Sequence, residues 1–501
     1  MKFFKKYHKW VGLVLAFFIT MSALSGIVMN HRKVISTIDI PRCILPKDFR
    51  YDSWNNASVK GSIKLSSDSI LLYGGAGIWL TDSTQSQFVD FSSGFKKGAD
   101  NRIVSRIVKN SHGNTFAAST FDLYTLSENS RWSNITELLD IDERITDVEL
   151  HNDTLVVLSR SYLYYSLYPF ISFSKVELCQ PAGYQPETSA FRMLWLLHSG
   201  ELFGLPGKLF VDLLGILLII LSVTGVLYFF CPRIIRRKKK KNKPAKSAVN
   251  VMKKSLKWHN KIGVVFLIFF IILTISGMFL RPPLLIPIVR SKVSNIPGTI
   301  LNNSNPWFDK LRTIRYNANG SGWLMYTSSG FYSLSDFDST PEAVEGTPPV
   351  SVMGVTVLEP TAEGWLVGSF SGLYYWNTKH GMIFDCYTGK PAQGRSRGRP
   401  VATNPISGYS GDFEGKVIFE YGKGARVFDS TKEFASMPEH IRNGRISLWH
   451  LALEVHTGRI YTIIGQGTDF FIFFFGLLTL VVLISGYLVY RKRKKHKTVK
   501  P

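Results

Sequence analysis

The sequence is written twice. Tyr7-His8-Lys9-Trp10-Val11-Gly12 near the start returns as Trp258-His259-Asn260-Lys261-Ile262-Gly263, with the two histidines 251 residues apart. An apolar run follows each, carrying Ser25-Gly26 in the first half and Ser276-Gly277 in the second. The halves also end alike. Leu197-His198-Ser199-Gly200 precedes an apolar segment ending Thr224-Gly225-Val226-Leu227, and Val455-His456-Thr457-Gly458 precedes one ending Ser485-Gly486-Tyr487-Leu488. A chain built this way is constrained to fold as two related halves, each with two apolar segments and a histidine at each polar edge.

The apolar runs at 11–29, 209–230, 262–280 and 470–490 each approach the ~20 residues a helix needs to span a bilayer core. Lysines precede the first, as in a signal peptide, yet its run is longer than a signal core and no small-residue cleavage site follows it, so it reads as a retained helix. The net charge of +24 is concentrated beside these runs. Residues 1–9 hold four Lys, 233–257 hold twelve Lys/Arg and 491–500 hold seven, with no acidic residue among them. The rest of the chain is nearly neutral, with 37 basic and 36 acidic residues. Because every basic block abuts a span and all fall on one side of a four-span topology, the positive-inside rule accounts for them without nucleic acid. The expected class is therefore a membrane protein, a four-helix transmembrane bundle from an internal duplication with two all-β, propeller-like periplasmic insertions.

In order, the expected parts are a cytoplasmic N-terminus (1–9), a first span (10–30) and a periplasmic β segment ending in an interfacial helix (31–205). A second span (208–231), a basic cytoplasmic loop (232–257) and a third span (260–281) follow. The chain closes with a second periplasmic segment of the same kind (282–468), a fourth span (469–490) and a basic tail (491–501). The bacterial inner membrane is the expected location, with the lipid bilayer as partner. Of four cysteines, Cys43 and Cys179 bracket the first outer segment and are a candidate disulfide for an oxidising compartment.

The outer segments lack helical periodicity. A phrase recurs in them, a Gly- or Ser-containing turn followed by an apolar and an aromatic residue, at Gly77-Ile78-Trp79, Asp122-Leu123-Tyr124, Tyr162-Leu163-Tyr164, Gly330-Phe331-Tyr332, Gly372-Leu373-Tyr374 and Arg426-Val427-Phe428. A strand-like stretch precedes most of them, and within each segment the phrases lie 40–54 residues apart. That period is the mark of propeller blades, and three blades from each segment would close one six-bladed ring. Two separate small β or α+β domains are the alternative. No convergent polar motif marks a hydrolase or nucleotide site here.

Position sorts the eleven histidines. His8 and His259 stand at the cytoplasmic edge of outward-running helices, each with a Gly four residues on that admits a bulky group. His198 and His456 stand on the outer side, before inward-running spans. Imidazoles in symmetric pairs at membrane depth suggest two b-type haems, one held by His8 and His259 and one by His198 and His456, since haem iron accepts axial histidine and facing helices often hold a cofactor. Interfacial histidines turned to headgroups are the plainer alternative. If the Gly204-Leu205-Pro206-Gly207 break leaves His198 too far out, His31 is the substitute ligand, although Pro282 occupies its place in the second half. The Ser/Thr-Gly pairs read as small residues that let membrane helices approach, and Asp212 as a solvated interfacial carboxylate.

These motifs resemble the PepSY-associated transmembrane helix family. Its His-Arg-Trp-x-Gly-like start, Ser/Thr-Gly exit and later His-Thr-Gly-Arg-x-x-Gly-x-x-Gly stretch correspond to His8-Lys9-Trp10-Val11-Gly12, Ser25-Gly26 through His31, and His198-Ser199-Gly200 through Gly207, with looser matches at Trp258-His259 and His456-Thr457-Gly458-Arg459. The resemblance covers the four helices and their edges, and no PepSY fold is evident in the outer regions. It implies an inner-membrane protein linked to iron uptake, and for some members a haem-containing ferric-siderophore reductase. The expected activity is thus oxidoreductase-like electron transfer to a periplasmic ferric chelate. No nucleotide or flavin site appears in this chain, so the donor would be a separate cytoplasmic partner or a quinol. The competing class is a non-enzymatic, membrane-anchored binding or assembly module of propeller-like form.

Overall fold

Twenty-nine residues from Lys2 to Asn30 form one unbroken helix, α1 (Lys2–Asn30), because the apolar run contains no Pro and its glycines sit where helices meet. The computed structural model describes residues 2–317, 322–392, 403–428 and 432–498. Two units separate, Met1–Ile35 with Gln185–Asn303 and Leu448–Pro501, and Ser36–Tyr184 with Ser304–Ser447.

In the first unit, α1 is joined by α2 (Ala190–Ser199), α3 (Gly204–Lys240), α4 (Lys246–Val265), α5 (Leu267–Phe279), α6 (Leu448–His456) and α7 (Thr468–Thr498). The segments Phe3–Asn30, Glu201–Lys240 and Phe470–Lys492 are long and apolar enough to cross a membrane, and α4 with α5 passes the same test as a pair bent by 67°. The third expected span is therefore not a straight helix, since the chain turns at Phe266, whose φ of −101° and ψ of 10° leave the helical region. Helix α1 packs against α3, α6 and α7, and α5 against α2 and α7.

Local chemistry fixes the short helices. The Ser189 hydroxyl caps α2 by accepting from the Arg192 amide at 3.1 Å. At its other end Gly200 adopts φ +82°, the left-handed conformation that closes helices, and a Cβ there would collide with the Gly207 carbonyl. The break before α3 thus falls at Gly200–Gly204, earlier than the expected 204–207. Gly207 lies inside α3.

The second unit consists of antiparallel sheets. Among the described residues, six are meanders of three or four strands in chain order, opening with Gly61–Lys64, Val104–Lys109, Ile145–His151, Leu311–Tyr316, Val355–Thr361 and Ile406–Ser410. Each opening strand contacts the opening strand of the next sheet, and the last contacts the first. There the Tyr409 amide donates to the Lys60 carbonyl at 3.1 Å and the Ser62 and Ser410 hydroxyls stand 2.5 Å apart. The two outer segments thus fold into one unit, not two separate domains. Four of the second strands, Ile70–Gly74, Thr115–Ser119, Trp323–Thr327 and Val417–Glu420, are buried at every position, and the other two at all but one. Burial of both faces means that each sheet has a neighbour on either side.

The recurring phrase falls at the turn into the third strand in the first five sheets, with Ile78, Leu123, Leu163, Phe331 and Leu373 in the core. In the sixth, that turn is at Gly424 (φ +88°) and Arg426-Val427-Phe428 lies beyond it, at the strand's end. Five of the opening strands carry a bulge after their first residue, at Ser105, Thr146, Arg312, Thr356 and Ser407. A bulge leaves ladder groups unpaired, and nearby carbonyls accept from the hydroxyls of Ser105, Thr146, Thr356 and Ser407 at 2.8–3.3 Å.

Opening strands also supply a cluster of charges. Arg315 pairs with Asp147 at 2.5 Å and with Glu149 at 3.4 Å, while Arg106 pairs with Glu149 at 3.2 Å and with Glu359 at 2.7 Å. Burial raises the Glu149 carboxyl above its ordinary range, against the pull of both arginines. Glu359 is also pushed up by burial, but Arg106 and Arg315 more than compensate and hold it below that range. All four cysteines are free. Cys43 is exposed on a turn ahead of the first sheet, and Cys179 follows the third sheet with its thiol donating to the Asp338 carbonyl at 3.2 Å. The candidate disulfide is therefore not formed.

Candidate functional site: two pairs of seated histidines

All four expected ligand residues lie in the helical unit, on four different helices, and they meet in pairs. His8 of α1 faces His259 of α4 with ring centres 6.1 Å apart, and His198 of α2 faces His456 of α6 at 5.8 Å. With a metal-to-imidazole nitrogen distance of about 2 Å and about 1 Å from nitrogen to ring centre, two axial imidazoles on one iron stand roughly 6 Å apart. Both pairs match that spacing.

Each ring is held the same way. His8 Nδ1 donates to the Val482 carbonyl at 3.0 Å, His198 Nδ1 to Leu273 at 3.0 Å, His259 Nδ1 to Leu221 at 3.1 Å and His456 Nδ1 to Ser22 at 2.9 Å. Three residues after each of these carbonyls comes a Ser or Thr whose oxygen lies 3.2–3.4 Å from the same nitrogen: Ser485, Ser276, Thr224 and Ser25. The next residue is glycine in every case. A Cβ at Gly486, Gly277, Gly225 or Gly26 would stand 2.8, 2.7, 3.3 or 3.2 Å from the Cε1 of its histidine.

A carbonyl acceptor requires the proton on Nδ1, which fixes the tautomer and leaves the Nε2 lone pair available to a metal. Among the described residues, no hydrogen bond ties any of the four Nε2 atoms. No group of three or more His, Cys, Asp or Glu able to hold a metal converges among the described residues. Two protein nitrogens are too few for a bare ion of ordinary coordination, whereas a porphyrin brings four of its own. The residues present therefore fit haem.

The pairs sit near opposite ends of the span. His8 and the Ser22–Gly26 seat of His456 share α1, and 14–18 residues at 1.5 Å each separate them by roughly 21–27 Å. His31 does not join the second pair. Its Nε2 is bonded to Asp212 Oδ2 at 2.8 Å, and Asn30 Nδ2 donates to the other oxygen at 2.8 Å and to the Ser199 carbonyl at 3.3 Å. Asp212 is accordingly buried, at 8% exposure, rather than solvated. The glycines four residues after His8 and His259 have ordinary neighbours, with a Cβ at Gly12 or Gly263 standing 3.8 or 3.7 Å from Val482 or Leu221. They serve helix approach and not the rings.

The seats are what sequence reasoning missed. Ser25-Gly26, Thr224-Gly225, Ser276-Gly277 and Ser485-Gly486 looked like helix-contact residues, although four such pairs beside four histidines was a countable signal.

A family model described as PepSY-associated TM region matches the chain twice, over residues 1–231 and 232–493. The chain belongs to that family. Its PepSY-associated halves divide where the internal repeat divides, so each match takes in one histidine of each pair. No curated protein matches the sequence.

Proposed function

We propose that the chain is a transmembrane electron conduit, with two b-type haems held by His8 with His259 and by His198 with His456. One observation carries this reading: two imidazole pairs at bis-axial spacing, all four rings locked in the tautomer that frees Nε2. Haem supplies reversible one-electron redox chemistry when bound. The backbone carbonyls of Val482, Leu221, Leu273 and Ser22 keep the proton on Nδ1 and orient each ring. With both histidines of a pair taken up as ligands, a haem held there would have no position left for a small molecule, which would suit electron transfer rather than oxygen chemistry.

The basic blocks beside the spans support a reading in which the His8–His259 end faces the cytoplasm of a bacterial inner membrane and the sheet unit lies in the periplasm. We read the six meanders as blades of one propeller, a reading supported by opening strands that contact in sequence and by second strands buried on both faces. Family membership is in keeping with a ferric chelate as periplasmic acceptor and with a quinol or a separate protein as donor.

An absorption spectrum of the purified protein tests the proposal. A Soret band with α/β bands appearing on dithionite reduction is expected. His8→Ala and His259→Ala should remove one shared spectral component, and His198→Ala and His456→Ala the other. A colourless preparation from haem-supplied cells would leave only a membrane-tethered β scaffold, and loss of a single common component in all four variants would refute the two-site arrangement.

A further inference from the structure

An open cavity of about 560 Å³ lies between α3 and α4, within the range of about 300–1,000 Å³ typical of small-molecule sites. Its walls are apolar, from Leu217 and Ile220 on α3 and Ile262 and Val265 on α4, and it reaches the break at Phe266 where the chain turns by 67°. Its rim is cationic. Lys254, Trp258 and Lys261 all line it, at spacings of four and three residues that place them on one face of α4. The Lys261 ammonium stands 5.4 Å from the Trp258 ring centre, an arrangement that holds the amine at the mouth. No acidic residue lines the cavity. The sequence contains none between Asp212 and Asp309, while twelve Lys/Arg crowd 233–257.

The geometry points to a binding site for an anionic phospholipid, its phosphate between Lys254 and Lys261 and an acyl chain laid along Leu217, Ile220 and Val265. Basic pockets between membrane helices are built for such headgroups, and an indole beside the ammonium suits the boundary between chain and headgroup. A neutral amphiphile such as a quinol fits less well, because it brings no negative charge to the two ammonium groups. The site stands apart from the redox proposal, although Thr224 belongs both to the cavity wall and to the seat of His259.

The test uses the full chain, delipidated in detergent and titrated with phosphatidylglycerol or phosphatidylethanolamine of the same acyl composition, with bound lipid counted by native mass spectrometry. Retention of one phosphatidylglycerol in preference to phosphatidylethanolamine is expected. With about 1 kcal/mol per lysine, Lys254→Gln with Lys261→Gln should weaken it roughly thirty-fold. Lys253→Gln with Lys257→Gln removes the same charge from α4 away from the cavity and should change it only a few-fold. Val265→Trp, which narrows the cavity at its apolar wall and leaves the charge intact, should also weaken retention. Equal loss from both lysine pairs, equal binding of the two lipids, or displacement of phosphatidylglycerol by a short-chain quinone analogue would each overturn the assignment.

Discussion

Gly277→Ala offers the sharpest trial of the histidine seats. The new Cβ would stand 2.7 Å from His198 Cε1, whereas carbon atoms in contact sit about 3.5–4.0 Å apart. The ring must therefore retreat by roughly 0.8 Å or more. His198 Nδ1 begins 3.0 Å from the Leu273 carbonyl, so that retreat carries it beyond about 3.5 Å, where the bond is lost. Loss of the bond, about 1 kcal/mol, and overpacking, about 1–3 kcal/mol, together make roughly 2–4 kcal/mol. Expressed on the proposed haem, that is a loss of affinity at the second site of roughly thirty- to several-hundred-fold. Gly26→Ala is the control on the partner ring. Its Cβ would stand 3.2 Å from His456 Cε1, so a retreat of roughly 0.3 Å leaves the 2.9 Å bond to Ser22 intact. Reduced-minus-oxidised spectra at matched protein concentration, with the thermal unfolding midpoint of haem-free protein beside them, read both quantities. Equal effects of the two substitutions, or a Gly277→Ala protein indistinguishable from the parent, would refute the seat argument.

The sheet unit yields the remaining predictions. Arg315→Ala leaves Asp147 buried without its cation while Glu149 keeps Arg106, and should destabilise the unit by about 3–5 kcal/mol, as read by denaturant titration of intrinsic tryptophan fluorescence. Because Glu359 is held below its ordinary range, its contribution is present above the unfolded value and lost as pH falls through the folded one, so Glu359→Gln should flatten the acid side of a stability–pH profile. Glu149 has the opposite sign: its raised value favours the fold at low pH, with loss as pH rises through the folded value, and Glu149→Gln should remove that fall. Cys43 and Cys179 are free and exposed, and both should react with a maleimide without prior reduction. Failure of both to label until reductant is added would restore the disulfide.

The sequence carried the large-scale plan because its signals were periodic. The 251-residue offset of His8 and His259 foretold which imidazoles would meet, and the turn phrase at Ile78, Leu123, Leu163, Phe331 and Leu373 marked the corresponding turn in five sheets. What stayed hidden was three-dimensional. The acceptors of the ring protons are backbone carbonyls, which have no letter of their own, and only the helix crossings set Leu221 or Val482 beside a histidine. His31 and Asp212 lie 181 residues apart, and nothing in either neighbourhood announces the other. The bend at Phe266 has no proline or glycine at the break. Arg426-Val427-Phe428 matched the phrase by letters while the true turn used Gly424, whose positive φ was the feature that mattered.

Every histidine of the quartet is seated on the opposite half of the chain. His8 leans on Ser485-Gly486 and His259 on Thr224-Gly225, and His198 leans on Ser276-Gly277 and His456 on Ser25-Gly26. Such exchange, in which a residue of one copy meets the counterpart's site and is met in return, is the hallmark of an isologous two-fold dimer. A solitary half would own two imidazoles and two cradles that do not serve each other. The chain is a dimer written as one molecule, and joining the copies frees them to diverge: His31 with Asp212 could arise in one half while proline took its place in the other.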